Sequence, residues 1–342
     1  MIRIGVIGFG YWGPNLARNI AQFDGTELVV VADFDADKRA RAQRLYPYID
    51  TAADAAALIA RDDLDAVVIA TPLASHFDLA LATLQSGKHV IVEKPVAASP
   101  AQALRLKREA EARNLVLLVD HTFIYSGAVA KMRELVTAGD LGDLFYFDST
   151  RINLGLFQHD TNVIWDLAVH DLSILFHVLD QRPVAVSANG VNHFPDGHEN
   201  IAYLTLFFPS QLIAHINVNW LAPVKVRKIL IGGSRRMIVF DDMEPSEKVK
   251  VYDRGVEMIE APEDIYKTLV SYRSGDMWAP KLDQTEALHN EIVHFADCVA
   301  GRATPLTDGA MGLDVVRVLE AASESMRRRG DAVELAEITE AE

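Results

Sequence analysis

Two groups of polar residues in this chain have the types and the spacing that proton transfer requires. The first group centres on Lys94, which follows an apolar run at 90–92 and Glu93 and precedes Pro95. Such a run predicts a short interior strand of a parallel sheet, and ligands bind beyond the carboxyl ends of those strands. We therefore expect Lys94 to face a ligand, while a solvated lysine at a strand end remains the alternative.

The second group is the pair Asp166 and His170, which are four residues apart in a stretch with helical periodicity. Residues at this spacing share one helical face, and Asn162 is placed to cap the helix. A carboxylate beside an imidazole orients the ring and raises its affinity for a proton, as a general base requires. An ordinary surface pair on an amphipathic helix remains the alternative.

A glycine-rich turn near the N-terminus predicts a dinucleotide site. Gly8, Gly10 and Gly13 follow an apolar run at 2–7 and precede a helical pattern, in the spacing G-x-G-x-x-G. Asp33 ends the second predicted strand, about 20 residues later. Its carboxylate is placed to accept hydrogen bonds from the adenosine ribose and to repel a 2′-phosphate, which favours NAD over NADP. A glycine turn used only for packing is the alternative.

Strands and helices alternate over the first part of the chain. This pattern is typical of an α/β fold with a parallel sheet, and it predicts an NAD-binding Rossmann domain over 1–121. Thr71 and Pro72 close one of the predicted strands. His76 begins the following helix, where it either contacts the cofactor or serves as a capping or packing residue.

The second part of the chain has longer strands that follow one another without crossing helices. It predicts a substrate-binding and oligomerisation domain over 122–342, of α+β type with an open, mostly antiparallel sheet. Helices at 285–300 and 308–328 are expected to return across the interface. Strands expected to be neighbours in sequence order lie at 201–208, 212–220, 226–231 and 236–240.

Composition and charge restrict the partners. The 342 residues carry a formal net charge of -15, which argues against nucleic acid as a partner. A single cysteine, Cys298, excludes an internal disulfide framework and a multi-cysteine metal site. We therefore expect that the protein binds no metal and is located in the reducing cytoplasm. No apolar run reaches about 18 residues, and we therefore expect no membrane association.

Together these residues resemble the Gfo/Idh/MocA oxidoreductases over nearly the whole chain. The motifs that carry the resemblance are Gly8-Phe-Gly-Tyr-Trp-Gly13, Asp33, Thr71-Pro72 with His76, Glu93-Lys94-Pro95, and Asp166 with His170. The resemblance implies that Lys94 and His170 flank the reacting carbon and that Asp166 supports them. It also implies a cis bond between Lys94 and Pro95, and a homodimer or homotetramer assembled through the open face of the second sheet.

The candidate site residues follow from the motifs and this resemblance. The expected catalytic residues are Lys94, Asp166 and His170. Those expected to contact NAD are Gly8, Gly10, Tyr11, Trp12, Gly13, Asp33, Thr71, Pro72, His76, Glu93 and Lys94. Those expected to bind the substrate are Lys94, His121, Arg151, Asn153, Gln158, Trp165, Asp166 and His170.

The substrate class is suggested by two further stretches, at 153–158 and 165–171. They resemble family members of surface-polysaccharide and amino-sugar biosynthesis, which implies oxidation of the 3-hydroxyl of UDP-N-acetylglucosamine or its uronic acid. Two alternatives stay open: a dehydrogenase or ketoreductase of another sugar or of a cyclitol such as inositol, and a dinucleotide-dependent binding or regulatory protein. A basic cluster is either a diphosphate site or a hairpin exposed to water; it consists of Lys225, Arg227, Lys228, Arg235 and Arg236.

Overall fold

The computed structural model describes the chain except for residues 156–160, 196, 254, 259–269, 274 and 336–342. The described residues form two compact units. The first is built from Met1–Ser126 and Thr285–Glu320, and the second from Gly127–Gln284 and Ala321–Ala336. Within the described ranges, no helix is long and apolar enough to cross a membrane.

The first unit contains a parallel sheet. Its strands are β1 (Ile2–Ile7), β2 (Thr26–Ala32), β3 (Asp50–Ala52), β4 (Ala66–Ile69), β5 (His89–Glu93) and β6 (Leu117–Asp120). They pair in the order β3-β2-β1-β4-β5-β6, so the order reverses between β1 and β4. The interior strands are continuous apolar runs because both faces are covered: Val67, Val68 and Ile91 are 0% exposed. The expected Rossmann architecture is confirmed.

Five helices connect these strands: α1 (Gly13–Gln22), α2 (Ala36–Leu45), α3 (Ala55–Ile59), α4 (His76–Gln85) and α5 (Pro100–Arg113). Side chains cap three of them. Asp35 accepts from the Asp37 backbone N–H at the start of α2, and Asp54 and Ser99 do the same for α3 and α5. No side chain caps α1, which begins within the glycine-rich turn. Pro14 has no N–H, and the Asn15 and Leu16 N–H groups donate to the Trp12 carbonyl oxygen, so an anionic ligand meets the start of α1 at the Gly13 N–H.

The second unit contains helices α6 (Gly127–Thr137) and α7 (Val169–Val178) and most of the remaining strands. These are β7 (Leu144–Leu154), β8 (Ala185–Val191), β9 (Ile201–Phe207), β10 (Ile213–Asn219), β11 (Leu221–Gly233), β12 (Met237–Asp241), β13 (Val249–Tyr252), β14 (Gly255–Met258), β15 (Val270–Arg273), β16 (Met277–Trp278) and β17 (Val333–Glu334). β14 and β15 form a separate antiparallel pair. The others make one open sheet in the order β16-β13-β12-β11-β7-β10-β9-β8-β17.

This sheet is mostly antiparallel, as expected, but its strands do not pair simply in sequence order. β7 lies between β10 and β11, parallel to β10 and antiparallel to β11. The expected pairing of successive strands from 201 to 240 is therefore wrong at this point. Side chains alternate between the two faces of the sheet along β10, since Ala214, Ile216 and Val218 are fully buried while Ile213 is 46% exposed.

Two helices follow the second sheet in sequence, α8 (Ala287–Val299) and α9 (Gly309–Arg327). Leu288, Ile292 and Phe295 of α8 join the hydrophobic core of the first unit, where they are at most 3% exposed. Residues 285–320 thus belong to the first unit and not, as expected, to the domain over 122–342. The reason is that the apolar face of α8 is buried in the core that contains α1 and β2.

Candidate active site

The glycine-rich turn leaves an open space above Gly10. A Cβ atom at Gly8 would lie 2.4 Å from the carbonyl oxygen of Ala70, and one at Gly13 would lie 2.1 Å from that of Gly8. These two positions therefore require glycine. A Cβ at Gly10 would meet nothing nearer than the Lys38 ammonium, at 4.0 Å. A ligand can reach the backbone there, beside the uncapped start of α1, and a pyrophosphate fits this arrangement.

The carboxylate of Asp33 is held at the carboxyl end of β2 by backbone donors. Its Oδ2 accepts from the N–H of Phe9 at 2.8 Å, and its Oδ1 accepts from the N–H of Asp35 at 2.9 Å. Each oxygen keeps a further lone pair for a ribose hydroxyl. The Lys38 ammonium lies 3.9 Å from Asp33 Oδ2. This arrangement fits the adenosine half of NAD.

The loops after β4 and β5 are joined by His76. Its Nδ1 lies 2.8 Å from the carbonyl oxygen of Pro95 and its Nε2 lies 2.8 Å from that of Thr71. The ring is 1% exposed and packs between the two loops, and its contact with the cofactor stays a prediction. The bond between Lys94 and Pro95 is cis, as expected. Lys94 itself is partly exposed at the end of β5.

Three carboxyl groups, Glu93, Asp120 and Glu291, lie together in the first unit, and we call them the carboxyl cluster. Glu93 and Asp120 are direct neighbours at the ends of β5 and β6. The third, on α8, is 0% exposed and interacts with the Asp120 carboxyl. Burial and the adjacent Asp120 raise the pKa values of Glu93 and Glu291 well above the usual range.

Donors from two directions hold Asp120. The Trp12 indole Nε1 donates to Asp120 Oδ2 at 2.8 Å, and the Thr122 hydroxyl donates to Oδ1. Trp12 thereby ties the glycine-rich turn to the carboxyl cluster, and the exposed Tyr11 ring stacks on it at 6.4 Å. His121 is 1% exposed, and burial lowers its pKa to about 4. It is therefore neutral at pH 7.

In the second unit, Asp166 lies in a single π-helical turn over Ile164–Ala168 that leads into α7. Such turns occur often at functional sites. The Asn162 carboxamide oxygen accepts from the Trp165 backbone N–H at 3.3 Å, so Asn162 caps this turn as expected. The Trp220 indole Nε1 donates to Asp166 Oδ2 at 2.9 Å. Asp166 and His170 are both partly exposed, which leaves them accessible to a ligand.

The other expected substrate-binding residues of this unit differ in their surroundings. Arg151 is 2% exposed and donates to both oxygens of Asp171, at 2.7 and 3.2 Å. The indole Nε1 of Trp165 donates to the Ser323 hydroxyl at 3.0 Å. Asn153 is partly exposed. Gln158 lies outside the described residues, and the roles of all four in binding substrate stay predictions.

Three of the five residues of the basic cluster lie beside acidic side chains. Arg227 lies 3.3 Å from Asp242, Lys228 lies 3.5 Å from Asp241, and Arg236 lies 3.2 Å from Asp140. Arg235 donates to the carbonyl oxygen of Gly139. These contacts favour the interpretation of a charged hairpin exposed to water.

Sequence patterns did not single out Asp120 or Glu291. Asp120 could have been found by the pattern that indicated Glu93, because each is a carboxylate directly after the apolar run of a parallel strand. Glu291 carries no local signal, since its partners come from strands far away in the sequence. In the described part of the chain, no three His, Cys, Asp or Glu side chains form a group that could hold a metal ion.

Comparisons with known proteins cover both parts of the chain. Residues 2–121 match the oxidoreductase family model with an NAD-binding Rossmann fold, and residues 129–239 match the Gfo/Idh/MocA C-terminal domain. The chain is 29% identical over 336 residues to UDP-N-acetylglucosamine 3-dehydrogenase of Acidithiobacillus ferrooxidans, covering 94% of this chain and 95% of that protein. A solved structure of the same enzyme gives a TM-score of 0.81 at 25% identity, covering 96% and 98% of the two chains.

A shorter match is found with inositol 2-dehydrogenase 3 of Saccharopolyspora erythraea, at 32% identity over 194 residues. It covers 54% of this chain and 55% of that protein. Both family models agree with the fold that the sequence predicted. The glycine-rich turn and the position of Asp33 fit NAD, which is the cofactor. The chain therefore belongs to the Gfo/Idh/MocA family of NAD-binding oxidoreductases.

Proposed function

We propose that this oxidoreductase oxidises the 3-hydroxyl of a UDP-N-acetylated hexose such as UDP-N-acetylglucosamine, in cytoplasmic surface-polysaccharide or amino-sugar biosynthesis. The observation that carries the proposal is the similarity to the Acidithiobacillus ferrooxidans enzyme, which extends over nearly the whole length of both chains. The match with an inositol dehydrogenase is shorter and favours the alternative, a dehydrogenase of a cyclitol.

The proposed mechanism assigns proton transfer and binding of the alcohol oxygen to different residues. Oxidation of a secondary alcohol requires a base for the hydroxyl proton, and NAD supplies the hydride acceptor when it is bound. We assign proton abstraction to His170, with Asp166 orienting its ring, and binding of the alcohol oxygen to Lys94. The Trp220 hydrogen bond supports this assignment, because it holds the Asp166 carboxylate in place on the turn that leads into α7. Lysine as the base is the competing assignment.

We also propose that the protein assembles as a homodimer or homotetramer through the open face of its second sheet. Large side chains on the side away from α7 support this proposal: Tyr203 is 47% exposed, Phe207 39% and Ile213 46%. Adjacent exposed apolar residues of this kind mark interaction surfaces. Sedimentation of the purified protein measures the number of subunits.

A panel of alcohols tests the substrate. The purified protein is mixed with NAD and UDP-N-acetylglucosamine, its uronic acid, UDP-glucose, free N-acetylglucosamine or myo-inositol, and NADH formation is followed by absorbance. We expect the highest kcat/KM with a UDP-N-acetylated sugar, and none with the His170→Ala variant. A preference for inositol supports the cyclitol alternative. NAD binding without turnover of any alcohol supports a binding or regulatory protein.

The cofactor preference gives a second expected result. Asp33→Ser should narrow the preference for NAD over NADP by about tenfold or more, because a hydrogen bond to a charged group contributes about 1.5–3 kcal/mol. Lys38 remains beside the site and attracts a 2′-phosphate once the carboxylate has gone. The measurement is kcat/KM for both cofactors.

Asp35→Ser is the matched control, since it makes the same change two residues away and serine can still cap α2. Its ratio of NAD to NADP should equal that of the wild type. An unchanged ratio in Asp33→Ser would mean that Asp33 does not contact the ribose.

A further inference from the structure

The carboxyl cluster takes no part in the proton transfer proposed above. Glu291 is completely buried, and its carboxyl group has the Asp120 carboxyl and the Thr122 hydroxyl as polar neighbours, while that hydroxyl already donates to Asp120 Oδ1. The buried Glu93 Oε1 has no hydrogen-bond donor among the described residues, and Glu93 Oε2 accepts the Lys94 backbone N–H at 3.1 Å. Carboxylates packed together without sufficient donors cannot all be ionised. The cluster therefore holds at least one proton when the site has no added charge.

The groups around the cluster do not neutralise it fully. Glu93 ends β5 and is followed by Lys94. Asp120 ends β6 and is followed by His121. The ring of His121 is neutral at pH 7 because burial lowers its pKa to about 4. Tyr125, at the end of the short 3₁₀ helix Thr122–Tyr125, keeps its proton, since burial and the nearby Glu291 raise its pKa. Lys94 contributes a positive charge beside Glu93 and His121.

The position of the cluster relates it to the cofactor. In this sheet, Asp33 at the end of β2 serves the adenosine half of a dinucleotide, and the strand order reverses between β1 and β4. The other half of a dinucleotide lies across that reversal, over the ends of β4, β5 and β6. Glu93 and Asp120 stand at two of these ends, and Trp12 connects Asp120 to the glycine-rich turn.

We propose that the carboxyl cluster releases a proton to solvent when the oxidised cofactor binds and keeps that proton when the reduced cofactor binds. The oxidised nicotinamide ring carries a positive charge, whereas the reduced ring is neutral. A positive charge near the cluster favours its ionised form. Cluster ionisation thus makes the preference for NAD⁺ over NADH depend on pH. This inference rests on the NAD-binding fold and not on the proposed sugar substrate.

Proton counting tests this inference directly. NAD⁺ or NADH is added to the protein in a weakly buffered solution containing a pH indicator dye, and Kd is measured from about pH 6 to about pH 9. We expect proton release with NAD⁺ and little with NADH. The Kd for NAD⁺ should fall as pH rises, by at most about tenfold per pH unit for one proton. Glu291→Gln should reduce the proton release and flatten this dependence.

Two further variants separate the cluster from other sources of a proton. Glu286→Gln makes the same change on the same stretch of chain, at an exposed residue paired with Arg18, and it should release protons like the wild type. Lys94→Met tests whether the proton released on NAD⁺ binding comes from the lysine. If the wild type released the same number of protons with NAD⁺ and with NADH, that result alone would overturn the proposal. Loss of release in Lys94→Met together with wild-type release in Glu291→Gln would overturn it as well.

Discussion

His170→Ala should lower kcat by about 10²- to 10⁴-fold while NAD still binds, because loss of a general base typically has this effect. The residues expected to hold NAD belong to the first unit, whereas His170 lies on α7 in the second. Lys94→Ala should reduce kcat comparably if the lysine binds the alcohol oxygen. The measurements are turnover with the best substrate from the panel and the Kd for NAD. Near-normal turnover of His170→Ala from pH 6 to 9 would contradict the assignment of His170 as base.

Lys94→Arg distinguishes the two possible bases. Arginine keeps a positive charge for the alcohol oxygen but cannot lose its proton at working pH. We expect it to retain more activity than Lys94→Ala if His170 is the base. Equal loss in both lysine variants, with substantial turnover left in His170→Ala, would identify the lysine as base.

His177→Gln is the matched control on the same helix. Burial lowers the pKa of His177 to about 4, and its side chain packs inside the second unit at 7% exposure. This variant should lower thermal stability but leave kcat near the wild-type value. A loss of kcat as large as that of His170→Ala would mean that disturbance of α7, and not loss of a base, explains both results.

Local patterns were sufficient for the N-terminal part of the first unit. The run at 2–7 forms β1 over Ile2–Ile7, and the glycine spacing lies between β1 and α1 as predicted. In such a fold, each strand and helix is determined by short stretches with a clear apolar period, and parallel βα units leave few possible topologies. The cis bond before Pro95 was implied by the resemblance and is present.

Longer-range pairing limited the prediction of the second unit. The strand at 212–220 was predicted, but a strand pattern does not reveal which strands are neighbours, so the insertion of β7 next to β10 was missed. The π-helical turn at Asp166 was missed for a similar reason, since the polarity pattern does not show one extra residue in a turn.

Arg151 shows how a distant partner changes an interpretation based on sequence. Its neighbours at 151–158 suggest a polar loop near a ligand, and nothing in that stretch indicates a carboxylate partner. In the structure, its guanidinium pairs with the buried carboxylate of Asp171, which lies 20 residues further along the chain. A buried arginine requires such a partner, but sequence alone does not say which acidic residue provides it.

Breaking this buried pair should have the largest effect on stability. Asp171→Asn should destabilise the second unit by about 3–5 kcal/mol, because it leaves a buried guanidinium without its counter-charge. The effect is increased by Arg227, the direct cross-strand neighbour of Arg151, since burial and the Arg151 charge lower the Arg227 pKa. Urea unfolding of the wild type and the variant, followed by circular dichroism, measures the difference.

Two controls test the physical reason for that loss. Arg18→Met removes an exposed pair with Glu286, and it should cost only about 0–1 kcal/mol. The double variant Arg151→Met with Asp171→Leu should be more stable than Asp171→Asn alone, because no unpaired charge remains buried. If Asp171→Asn unfolds at the wild-type urea concentration while Arg151→Met raises KM for the sugar, the pair does not stabilise the unit and Arg151 binds substrate.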